Sequence, residues 1–153
     1  MRLPVFTNRQ TFALQLLANK LCETLQLPPV QIHMLPLPFS CWQPPIMGQP
    51  AGIGLGIFDK TPTSVAFMHE FAHHLDNRDI RTSAQGDAAC ARWENVSQDE
   101  VNKQAHTRTF YEALKKVIVA FGCRLEDYPW ASDYEWIFGW AKEEGLVNAA
   151  LAA

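Results

Sequence analysis

The chain has 153 residues, 48% of them hydrophobic and 19% charged, and a formal net charge of −3. This length and balance fit one soluble globular domain over residues 1–153 that buries a core without staples. They exclude the basic surface that nucleic acid or an anionic membrane attracts, and no apolar run approaches the ~20 residues that span a bilayer. Gln10, Gln15, Asn19 and Lys20 interrupt the apolar N-terminal stretch, so no signal peptide is read. Cys22, Cys41, Cys90 and Cys123 are widely spaced without a Cys-x-x-Cys pair, and read as buried thiols. A cytoplasmic location follows; the oligomeric state is left open.

In chain order, Thr7-Asn8 caps a first helix running to about Leu25. Phe12, Leu16, Leu17, Leu21 and Leu25 recur at helical spacing as its core face. Leu27-Pro28-Pro29 stops it. Val30–Leu35 then alternates apolar and polar residues, which predicts a half-buried strand with His33 on the polar side. Residues 36–56 hold half of the prolines and half of the glycines, so they read as a long loop, not a helix or a central strand. Loops of this length in compact domains serve as lids or binding loops, or are mobile. At its end Ile53, Leu55 and Ile57 alternate with glycines. This predicts a glycine-rich strand, either an edge strand with open backbone that a peptide pairs with or a poorly packed, irregular strand.

The next stretch, Val65–Asp76, contains His69-Glu70-x-x-His73. On a helix His69 and His73 lie about 40° apart, one turn from each other, so two imidazoles face one point. Glu70 stands about 100° round from His69, beside that point, where a carboxylate takes a proton from a metal-activated water without ligating the metal. Met68, Phe71, Ala72 and Leu75 form an apolar stripe on the other side, and Thr61-Pro62-Thr63-Ser64 offers cap hydroxyls and a proline at the start. One face packs and the other holds a metal. Asp76 either orients an imidazole or is a solvated helix-end carboxylate. His74 either tunes Glu70 or contacts substrate, or is an exposed helix histidine.

Residues 77–95 are polar and aperiodic and read as a connection. Ser97-Gln98-Asp99-Glu100 is a capping box that opens a helix, and Gly122 closes it. Phe110, Ala113, Leu114, Val117 and Phe121 share one face of that helix, and His106 falls on the same stripe. The segment 127–146 carries Trp130, Trp136 and Trp140 and predicts a turn and a short helix whose aromatic face packs back on the domain.

A catalytic zinc site needs three protein ligands. Asp79 has the spacing of a metzincin third ligand. That design requires glycine where this chain has Asp76, and a methionine turn downstream, whereas every methionine precedes Asp79. His106 is the better candidate, because a lone imidazole on an inward stripe is costly unless bonded or metal-bound.

Val65–Asp76 followed by His106-Thr107-Arg108-Thr109-Phe110 resembles the small single-domain zincins of the SprT-like kind, over roughly residues 8–121. In that family a His-x-x-x-Phe at the start of a following helix supplies the third imidazole, a gluzincin-like arrangement. The chain departs from the pattern in having Thr107 where glycine is common, in a longer separation between the two motifs, and in lacking a basic balance. The resemblance implies an α+β zincin-like domain: leading helix, small sheet of short strands, motif helix, packed ligand helix and C-terminal helix. It implies a zinc-dependent metalloendopeptidase acting on a protein or peptide, with Zn2+ on His69, His73 and His106 and Glu70 as general base. The alternative is a catalytically silent, metal-stabilised binding module on the same fold. Tyr111, Tyr128 and Tyr134 are all available to stabilise an oxyanion, and the sequence does not choose between them.

Overall fold

The computed structural model describes residues 8–147; the cap expected from Thr7 lies outside them. The described chain is mixed α+β, with six α-helices and a three-stranded sheet in the order β1-β3-β2. Helix α1 (Asn8–Leu25) packs on strand β1 (Val30–Leu35). Its buried stripe is Leu14, Leu17, Ala18, Leu21, Cys22 and Leu25, while Phe12 and Leu16 are 65% and 53% exposed. The expected core face therefore fails at both residues. The helix has two overlapping apolar stripes, and the one containing small Ala18 and Cys22 allows closer approach to the sheet. Gln15 supports that approach: its amide donates to the carbonyl of Val30 and accepts from the N–H of Ile32, at 2.9 and 2.8 Å. These bonds satisfy two backbone groups on the outer edge of β1, which would otherwise be open to pairing.

Residues 36–50 are not wholly loop, because they contain strand β2 (Cys41–Gln43). Strand β3 (Ala51–Gly56) pairs in parallel with β1 and antiparallel with β2, so the glycine-rich strand is central. The expectation of an edge was wrong, for a steric reason. A Cβ on Gly54 would lie 2.3 Å from Cδ1 of Leu35, and one on Gly56 2.3 Å from the carbonyl oxygen of Phe39. The glycines admit neighbours on both sides instead of leaving the backbone bare.

Helix α2 (Thr63–Asp76) lies between the sheet and helix α5 (Arg108–Phe121). Met68, Phe71, Ala72 and Leu75 are buried as the pattern predicts, together with Phe67. Its N-cap is Pro62 without a side-chain hydrogen bond, so the expected hydroxyl cap does not form. Phe67, Phe71, Phe110, Leu114 and Val117 are fully buried; at about 1.5–3 kcal/mol for each such side chain, this packing fixes the two helices together.

Two further helices interrupt the expected plan. Helix α3 (Ser83–Ala91) lies in the stretch read as a connection, and the described chain's full capping box is here, between Thr82 and Gln85. Only Gly86 of α3 is buried, so it has no apolar stripe to betray it. The predicted helix over 97–122 is two: α4 (Gln98–Ala105), capped by Ser97 accepting from the N–H of Glu100 alone, and α5. Between them His106 is the C-cap of α4 with φ −121° and ψ 58°. Gly122, at φ 96°, ends α5 in the left-handed conformation that glycine adopts without penalty. Two 3-10 turns (Leu125–Asp127 and Trp130–Ser132) lead to α6 (Glu135–Glu143), which folds back over α5 as the aromatic pattern predicts. Glu144, just beyond α6, accepts from the Tyr111 hydroxyl and from Nζ of Lys115 on α5.

Candidate metal centre

His69 and His73 project from one face of α2, and His106 meets them from the break between α4 and α5. Nε2 of His106 lies 3.0 Å from Nε2 of His69 and 3.1 Å from Nε2 of His73. The ligand atoms of all three histidines fall within 4.8 Å of one another, close enough to hold one metal ion. A tetrahedral metal with bonds of ~2.0–2.1 Å sets its nitrogen ligands roughly 3.3 Å apart, so the cluster fits such an ion with small adjustment. Nδ1 of His106 donates to the Asn102 carbonyl at 2.8 Å in the neutral tautomer, leaving the Nε2 lone pair aimed at the cluster. The break in the helix makes this possible, because His106 closes the last turn of α4 with its backbone while its ring turns inward.

Electrostatics favour neutral donors. Burial, reinforced by the neighbouring histidines, holds His73 well below the usual imidazole range. Burial and His69 bring His106 down to about 4, against the pull of the Asn102 carbonyl and Asp133. His69 is the exception. Burial works against its charged form, but Asp133, Glu70 and Asp59 together outweigh it and raise the group above the ordinary value. Glu70 is 8% exposed, and burial pushes its carboxyl up to about 7; His69 and the backbone N–H of Trp42 oppose this, and Asp59 adds to it. A carboxyl poised near neutrality is suited to taking and returning a proton.

A cavity of about 340 Å³ opens beside the cluster, lined by His69, Glu70, Asp59, Tyr128, Asp133 and Tyr134 among others. Asp133 was not anticipated. Its carboxylate lies 3.8 Å from Nδ1 of His69 and is 4% exposed. It also accepts from the Tyr134 backbone N–H at 2.9 Å and from the Tyr128 hydroxyl at 3.5 Å. The signal available was one of two acidic residues, Asp133 and Glu135, within the aromatic run Tyr128–Trp136, with nothing local to pair it to His69. The same segment supports His106: the Trp136 indole donates to its carbonyl at 2.7 Å, and the Tyr134 ring lies 4.4 Å from its imidazole.

The remaining candidates separate cleanly. Asp79 is exposed and outside the cluster, as is His33. Asp76 bonds Thr109 at the start of α5 and not an imidazole; burial raises its carboxyl while that bond lowers it. His74 is 2% exposed, which overturns the expectation of an exposed helix histidine. Its Nδ1 accepts from the Trp42 indole at 3.2 Å and its Nε2 donates to the Pro28 carbonyl at 2.7 Å, so it ties α2 to β2 and to the connection between α1 and β1. The helix angle placed His74 correctly beside the motif, but β2 covers that side. All four cysteines are free thiols; only Cys22 is buried, and Cys90 is exposed, against the expectation that all would be buried.

Fold and site define an α+β domain with a three-histidine centre suited to a metal ion, two ligands from one helix and one from a helix junction. Comparison with protein-family models, curated proteins and solved structures gives no match to this chain. No helix among the described residues is long and apolar enough to cross a membrane.

Proposed function

We propose that this protein is a zinc-dependent metallopeptidase with a zincin-like fold of the SprT-like kind, acting on a peptide or protein in the cytoplasm. The observation that carries the reading is Glu70. The convergent Nε2 atoms of His69, His73 and His106 alone would suit a purely structural ion. A buried carboxyl one residue from a ligand and lining the adjoining cavity is placed to move a proton, which a purely structural ion does not require. Zinc on the three imidazoles supplies a Lewis acid for the scissile carbonyl and a water of lowered pKa, ~7.

The residues of the chain do the rest. Glu70 accepts the proton of the attacking water as its oxygen bonds to the carbonyl carbon. Glu70 then returns that proton to the nitrogen as the C–N bond breaks. Asp133 holds His69 with Nε2 turned to the centre. Glu70→Gln keeps the shape and removes the base, so it should retain metal and lose cleavage of unfolded, fluorescein-labelled casein by at least ~10²-fold. Equal cleavage by variant and wild type would remove Glu70 from the chemistry. A metal-loaded wild type that cleaves no peptide or protein would favour the catalytically silent binding module.

A further inference from the structure

An attack on a peptide carbonyl drives charge onto its oxygen, and a fixed hydrogen-bond donor beside that oxygen is worth more than one that must reorganise. No lysine or arginine lines the cavity. Of the serine hydroxyls there, Ser40 donates to Asp59 and Ser132 to the Pro129 carbonyl. The chain has three tyrosines, and the structure separates them. Tyr111 gives its hydroxyl to Glu144 and packs between Trp130 and Trp140, each ring 5.6 Å away. Tyr128 is 5% exposed, with its hydroxyl on Asp133.

Tyr134 differs. It is half-buried, lines the same cavity as His69 and Glu70, and sets its ring 4.4 Å from the His106 ring. Its hydroxyl makes no hydrogen bond among the described residues. No buried side-chain oxygen or nitrogen among them lacks a partner, so this hydroxyl is open to solvent. The ring is held in place. It stacks on Trp136 at 4.9 Å and 16°, Trp136 is bonded to the His106 carbonyl, and the Tyr134 backbone N–H is bonded to Asp133.

We propose that Tyr134 is a catalytic residue that donates a hydrogen bond to the oxyanion formed when water adds to the scissile carbonyl. The assignment rests on the peptidase reading above. In the step the water oxygen bonds to carbon, the carbonyl π pair moves onto oxygen, and the water proton goes to Glu70. When the pair returns, the C–N bond breaks and the proton passes to the amine. Tyr134 keeps its own proton throughout.

Tyr134→Phe preserves the stack on Trp136 and removes only the hydroxyl. With metal content unchanged, kcat on fluorescein-labelled casein should fall ~10²- to 10³-fold while KM stays near the wild-type value. A second readout does not depend on turnover. Cobalt-substituted protein is titrated with inorganic phosphate, a tetrahedral oxyanion, and followed by the visible absorption of the cobalt. Tyr134→Phe should weaken phosphate about 10-fold or more, the loss expected for one hydrogen bond to a charged group, and Tyr111→Phe should bind it as wild type does. Unchanged kcat and phosphate affinity in Tyr134→Phe overturn the assignment, as does a loss confined to Tyr128→Phe. A metal-loaded wild type that leaves casein uncleaved instead brings down the peptidase reading beneath it.

Discussion

The carboxylate of Asp133 lies 3.8 Å from Nδ1 of His69, joining the segment before the last helix to the first residue of the metal motif. It is the acidic partner of an imidazole whose other nitrogen faces the cluster, and its attraction favours the ring orientation that leaves Nε2 to the centre. Asp133→Asn should therefore keep the fold and weaken metal binding ~10- to 100-fold, measured by competition with a chromophoric chelator. Wild-type affinity in this variant would show the contact to be incidental.

His106 and Asp79 were competing third ligands, and it is His106 that lies with His69 and His73. Purified wild-type protein should carry about one equivalent of transition metal by elemental analysis. His106→Ala should lower the affinity by orders of magnitude, whereas Asp79→Ala leaves it unchanged. Metal retained by the first variant and lost by the second would reverse the assignment.

Burial holds the His74 imidazole below its ordinary value of 6.5, although its bond to the Pro28 carbonyl pulls the other way. A base depressed in the folded state binds more protons once unfolded, so its contribution to stability is lost as pH falls below about 6.5. Glutamine at this position does not titrate. Urea unfolding of the metal-free proteins should show wild type losing more stability than His74→Gln between roughly pH 7 and pH 5. Identical pH slopes would contradict a buried neutral imidazole.

Gly56 tests the central placement of β3. A Cβ there would lie 2.3 Å from the Phe39 carbonyl oxygen and 2.5 Å from that of Leu37. Because both neighbours are backbone, the strand or the loop has to move, and Gly56→Ala should cost about 2 kcal/mol or more in denaturant unfolding. A neutral substitution would mean that the loop does not sit against the strand.

What the sequence disclosed follows from where periodicity and burial coincide. Helix α2 was legible because Met68, Phe71, Ala72 and Leu75 repeat at its pitch and are all buried, and β1 because its alternation matches its exposure. Helix α3 was not, because Gly86 is its one buried residue and it offers no stripe. The break at His106 was hidden since a ring on the continued stripe of α5 and a ring at its N-terminal border point to similar places. Phe12 and Leu16 misled because apolar spacing alone does not say which of two stripes is covered. Glu70, His69 and His73 announced themselves through one local pattern. Asp133 reaches the site through the fold, with nothing beside it in sequence to point there, and only the fold separates Tyr134 from the other tyrosines and brings Trp136 to His106.

The supports of the centre come late in the chain. His69 and His73 emerge first during synthesis, His106 follows, and the groups that fix their rings, Asp133, Tyr134 and Trp136, come after all three. A nascent chain therefore exposes its motif helix well before it holds the means to orient the donors. The contacts that orient the rings of His69 and His106 are thus completed only with residues 133–136, long after the motif itself is made.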